Sequence, residues 1–148
     1  MKFVKVSIIC TILSILLFPL NGVASLQEQL PSLKSSKVWE VVIDKPKSNE
    51  IKSKPNDVYN IYSMDIKYVG NENIKIERVE AYRDDPSSSF DFELFTADLE
   101  SVKNSGQQYF RHQNFPISKQ ATNLKVFVTW TKTDDNSRSF REEFNFKQ

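Results

Sequence analysis

The chain has 148 residues, 39% of them hydrophobic and 26% charged, with a formal net charge of +1. That balance suits one globular domain and excludes both a disordered, highly charged chain and two ordinary domains. No block of like charge is long enough to make the footprint of a nucleic-acid binder, so no nucleic-acid partner is expected.

The first 24 residues read as a secretory signal peptide. Lys2 and Lys5 form a basic start, residues 6–20 are uncharged and mostly apolar, and small residues follow at Ala24 and Ser25. A basic region, an apolar run and a small-residue exit define such a leader. An uncleaved anchor is the competing reading, since a spanning helix needs about 20 apolar residues. Pro19, Asn21 and Gly22 interrupt the far end of the run and no basic cluster closes it, which favours cleavage and leaves no stable membrane span. The expected location is secreted or on the extracellular face of the cell envelope. Cys10, the single cysteine, lies inside the apolar run, too early for a lipid-attachment point. The mature chain therefore has no thiol, disulfide or cysteine-bound metal, and its core must stabilise it alone. Removing Lys2 and Lys5 from the 20 basic residues leaves them one short of the 19 acidic ones. The absence of an Asn-X-Ser/Thr acceptor and the Lys-, Asn-, Ser- and Ile-rich composition point to bacterial export.

Residues 25–37, with Pro31 and several serines, have no clean periodicity and are expected to be a flexible spacer before a domain at 38–148. Trp39, Val41 and Ile43 share one face at period two and predict a first strand. Residues 44–57 hold two prolines and four lysines and read as an exposed connection. Tyr62, Met64, Ile66 and Tyr68 then alternate inward while Ser63, Asp65 and Lys67 face water. Gly70 and Asn71 tolerate the positive φ of a hairpin turn. Next, Ile74 and Ile76 lie on one face but Val79 and Ala81 on the other, a shift that a β-bulge near Glu77–Arg78 would produce. After the loop Arg83–Ser89, the alternation predicts Phe90, Phe92 and Leu94 inward. Residues 96–108 are ambiguous between a helical turn and a wide turn. A short strand at 109–115 precedes the closing ribbon, whose inward residues are Leu124, Val126, Val128 and Trp130, then Phe140, Phe144 and Phe146.

About seven strands at this spacing, with aromatic and β-branched residues inward, predict an all-β antiparallel sandwich. The ribbon LKVFVTWT…FREEFNF resembles the final hairpin of immunoglobulin-like domains in bacterial exported proteins, and YSMDIKYVGNENIKI resembles the B strand of such domains. The resemblance implies an immunoglobulin-like sandwich after the signal peptide. Fold analogy does not carry function.

Little catalytic chemistry is available. His112 is the only histidine, and a triad or a zinc site would have to use it. An ordinary strand-edge histidine is the simpler reading. Asp91 and Glu93 could form a paired-carboxylate glycosidase site, but the pattern places them on a solvated face. The Asp-rich stretches TDDNS and RDDPSSSFD offer oxygen ligands for calcium, yet Asp and Asn are also ordinary turn residues. No cofactor, no metal and no catalytic residue is expected.

Four apolar or aromatic residues, Phe127, Tyr59, Ile61 and Tyr109, fall outside the predicted core layer and are the candidate partner-binding residues. The expected function is a small exported binding module for an unknown protein or cell-wall polymer. A secreted proteinase or hydrolase inhibitor acting through residues 45–57 is the alternative, and a carboxylate-dependent glycan-active enzyme is the third.

Overall fold

The computed structural model describes residues 30–47, 54–99 and 108–148. The signal peptide, the centre of the lysine-rich connection and most of residues 96–108 lie outside the described residues. Eight strands run in chain order: β1 Ser32–Ser35, β2 Trp39–Asp44, β3 Tyr59–Tyr68, β4 Ile74–Arg83, β5 Phe92–Asp98, β6 Tyr109–Ser118, β7 Asn123–Lys132 and β8 Asp135–Lys147. They form two four-stranded sheets, ordered β1-β2-β3-β6 and β5-β4-β7-β8, and every pairing is antiparallel. No helix occurs among the described residues. The protein is an all-β sandwich.

The expected alternations hold where both sheets press on one core. Trp39, Val41 and Ile43 from β2 are buried, as are Tyr62, Met64, Ile66 and Tyr68 from β3. Leu124, Val126, Val128 and Trp130 of β7 meet Phe144 and Phe146 of β8 on the same face, with Phe140 packed at its margin. The bulge expected near Glu77 is present: the β4–β7 pairing slips between Ile76 and Arg78. An extra residue there lets Ile74 and Ile76 share the core face with Val79 and Ala81.

Five expectations need correction. Ser32–Ser35, placed in the spacer, forms a strand paired with β2. Only its backbone is engaged and Leu33 is exposed, so no hydrophobic period marked it. The turn after β3 is a crossing between sheets, because β4 pairs with β5 and β7. Gly70 serves there by having no side chain: a Cβ would lie 2.4 Å from the Tyr68 hydroxyl oxygen. Ser63, expected in water, is buried, and its hydroxyl donates to the carbonyls of Asp44 and Lys45 at 3.2 Å each. The strand expected at 109–115 continues to Ser118 past Asn114, whose φ is 61°. Pro116 is tolerated in it because β6 is an edge strand.

The fifth correction shapes the functional surface. Phe90 and Phe92, expected inward, are 74% and 43% exposed. The β4–β5 pairing slips between Ala81 and Tyr82, where Leu94 is an extra residue; Leu94 packs against the core as expected, together with Phe95 and Ala97. Phe95 closes the side of the sandwich by stacking on His112 of β6, with ring centroids 4.0 Å apart.

Candidate functional site: the laced loop end

The four residues singled out from the sequence do not form one patch. Phe127 alternates with the buried residues of β7 and so lies on the outer face of its sheet. Tyr59, Ile61 and Tyr109 lie on the outer face of the other sheet, across the sandwich. Within that face, Tyr59 pairs opposite Ser118 while Tyr109 pairs opposite Lys67, at opposite ends of β3. Ile61 is buried and offers no surface for contact. Tyr109 donates its hydroxyl to Asp65, which also accepts from Arg111 Nε at 2.5 Å and Nη2 at 3.2 Å. Burial, then the Asp65 carboxylate, pushes the Tyr109 phenol up to about 12. Burial alone would raise Asp65, but the bonds from Arg111 and Tyr109 outweigh it and hold the carboxyl below its ordinary value.

Phe127 is half-buried rather than free. Tyr82 meets it edge to face at 5.8 Å, and the Arg141 guanidinium sits 4.2 Å from its ring centre. Glu80 ties this group together, accepting the Tyr82 hydroxyl at 3.0 Å and pairing with Arg141 at 3.0 Å.

A better concentration of exposed apolar surface lies at one end of the sandwich. The strand pairings place parts of three connections there: the described ends of the lysine-rich connection, 45–47 and 54–58, and residues 84–91 and 119–122. The turn at 119–122 holds the other two. Lys119 N–H donates to the Val58 carbonyl at 2.9 Å, fixing the approach to β3. Asp84 accepts the backbone N–H groups of Thr122 and Asn123 at 2.7 and 2.9 Å, as well as the Thr122 hydroxyl and Asn123 Nδ2. Burial opposes the charge on Asp84, but these donors prevail and keep its carboxyl below the usual range. Gln148 N–H adds a bond to the Thr122 carbonyl at 2.8 Å.

The tied loops also brace themselves. Asn56 Oδ1 accepts the N–H groups of Val58 and Tyr59 at 2.8 Å each. Asp85 Oδ1 accepts Ser87 N–H at 2.9 Å, and the Ser88 hydroxyl oxygen accepts Phe90 N–H at 3.2 Å. What this frame exposes is apolar: Val58 at 55%, Tyr59 at 39%, Phe90 at 74% and Phe92 at 43%. Arg83 lies 4.9 Å over the Phe92 ring, and Lys125 pairs with Asp91 at 2.6 Å beside it. Of the sequence candidates only Tyr59 belongs to this surface. The sequence reasoning missed Phe90 and Phe92, although the run Phe95, Ala97, Leu99 carried an equally regular alternation and RDDPSSS marked Phe90 as the end of a turn.

The acid–base groups singled out from the sequence do not converge on one site. His112 is half-buried among Phe95, Phe110 and Phe115, and burial lowers its pKa. Asp91 is engaged by Lys125. Among the described residues no three His, Cys, Asp or Glu side chains gather into a metal-ligating group. No described helix is long and apolar enough to cross a membrane.

A β-sandwich with a braced, apolar loop end is the class of protein that fold and surface define. The chain belongs to the YozF-like secreted protein family, whose model matches residues 23–148. It is 25% identical over 134 residues to a Bacillus subtilis (strain 168) protein described as "Uncharacterized protein YozF", covering 80% of this chain and 79% of that relative. No solved structure matches the chain. The protein is secreted, as its family is.

Proposed function

We propose that this is an immunoglobulin-like binding module that engages a protein or polymer outside the cell through its laced loop end. The immunoglobulin-like label rests on strand order. β2-β3-β6 has the neighbours of strands A, B and E, and β5-β4-β7-β8 those of C′, C, F and G, with β1 added at an edge. One observation carries the function: Phe90 is three-quarters exposed on a loop that hydrogen bonds hold in place. An exposed phenylalanine costs solubility, and fixing it before contact lowers the ordering entropy of binding. Aromatic anchors of this kind dominate interface energies.

The test is retention of the mature chain on intact cells of its source. Phe90→Ser with Phe92→Ser should abolish retention while leaving the thermal midpoint within a few degrees, because neither ring is in the core. Phe127→Ser, on a different surface, should retain binding. Unchanged retention by the double variant would overturn the reading. The inhibitor alternative through residues 45–57 predicts instead that the wild type blocks a member of a protease panel.

A further inference from the structure

The pairing slip in β4 has a chemical product on the outer face of the second sheet. Because the extra residue falls after Ile76, Glu77 and Arg78 both reach that face, where strict alternation would supply only one of them. With Glu80, Asp98, Thr129 and Arg141 they line a groove of about 330 Å³. Thr129 is the cross-strand neighbour of Arg78 on one side and Arg141 on the other. The two arginine Cα atoms therefore stand about 10 Å apart, twice the strand spacing, with the Thr129 position between them.

The lining selects among ligands by elimination. Three carboxylates face two guanidiniums, so a phosphate, sulfate or carboxylate meets net repulsion. Arg78 pairs with Asp98 at 3.4 Å and Arg141 with Glu80 at 3.0 Å, which occupies two of the carboxylates a cation would need. Glu77 accepts the Ser139 hydroxyl at 3.0 Å. No hydrophobic residue lines the groove, and its apolar surface is only the carbon stems of polar side chains, so an apolar ligand would have to strip water from the charged ends beside them. A neutral polyhydroxylated ring fits what remains. Guanidinium and carboxylate groups present paired donors and acceptors to adjacent hydroxyls, and a guanidinium has five N–H donors, more than one ion pair uses. Phe127, under the Arg141 guanidinium, and Glu80, beside it, fix that side chain in advance. The volume lies at the small end of ligand pockets, about 300–1,000 Å³, which is room for one sugar ring.

We propose that the groove around Thr129 is a binding site for an uncharged sugar unit. Amide chemical shifts of the mature chain should be followed during titration with chitotetraose, cellotetraose and maltotetraose at millimolar concentration, with polyglycerol phosphate as the anionic counterpart. At least one neutral tetrasaccharide should shift Arg78, Thr129 and Arg141 saturably. Thr129→Val, nearly isosteric, should weaken that binding about tenfold with an unchanged thermal midpoint, and Arg78→Gln should do the same by another route. Phe90→Ser should leave it intact, which separates this site from the loop end. No saturable shift with any of the three sugars would overturn the proposal. So would wild-type affinity retained in both groove variants, or saturation of the groove by polyglycerol phosphate alone.

Discussion

Trp39 of β2 and Trp130 of β7 meet edge to face across the sandwich, with ring centroids 5.3 Å apart. Tyr68 adds a second edge contact to Trp39 at 5.2 Å, and Phe140 stacks on Trp130 at 5.7 Å. These rings join the two sheets at the end opposite the laced loops. Trp130→Ala should therefore cost about 3–5 kcal/mol, as large-to-small changes in packed cores do. Urea unfolding of the mature chain measures it, and a cost near zero would mean that the two sheets do not depend on this contact.

Phe127 calls for a smaller effect. Its ring is shared by Tyr82 and Arg141 on an outer face, and aromatic and cation–π contacts there contribute about 0.5–1.5 kcal/mol each. Phe127→Ser should lower stability by about 1–2 kcal/mol without unfolding the domain. A loss as large as that of Trp130→Ala would assign Phe127 to the core.

Asp84 gives the loop end a dependence on acid. Its folded pKa lies below the ordinary value, so its contribution is complete above the unfolded pKa, about 3.9, and is lost as pH falls through the lower folded value. Removing hydrogen bonds to a charged group costs about 1.5–3 kcal/mol. Asp84→Ala should lose roughly this at pH 7 and show a shallower fall in stability below about pH 4 than the wild type. Parallel profiles for the two proteins would show that Asp84 does not hold the loops.

Processing is tested directly by amino-terminal sequencing. The secreted protein should begin at Ser25 or Leu26, following the small residues at the end of the apolar run. Recovery of Met1 on membrane-bound protein would establish an anchor instead.

The sequence carried most of the fold because period-two alternation is written by burial on one face. β2, β3, β7 and β8 press directly on the shared core, and their inward residues were legible one by one. The β4 bulge was legible too, because both flanking segments, Ile74–Ile76 and Val79–Ala81, were buried and out of phase. β5 was misread for want of that bracketing. It is an edge strand, its slip at Leu94 lies next to Phe95, and the phenylalanines on either side supported two registers equally. β1 left no trace because only its backbone is used. The site suffered most, since Phe90 and Phe92 look like core residues until the register is known. The groove at Glu77 was half visible: the bulge was expected, but not the two side chains it would bring to one face.

The irregular course of β6 bears on how the protein behaves in quantity. An edge strand presents unpaired backbone groups to any extended chain that arrives, including another copy. The Gln113–Asn114 irregularity and Pro116 deny such a visitor a regular ladder: Asn114 turns the backbone with its φ of 61°, and Pro116 has no N–H to offer. Once outside the cell the chain has no disulfide to lock its fold, and any stacking of sheets would be hard to reverse. A kinked border protects the dissolved molecule at its own margin, where collisions between copies begin.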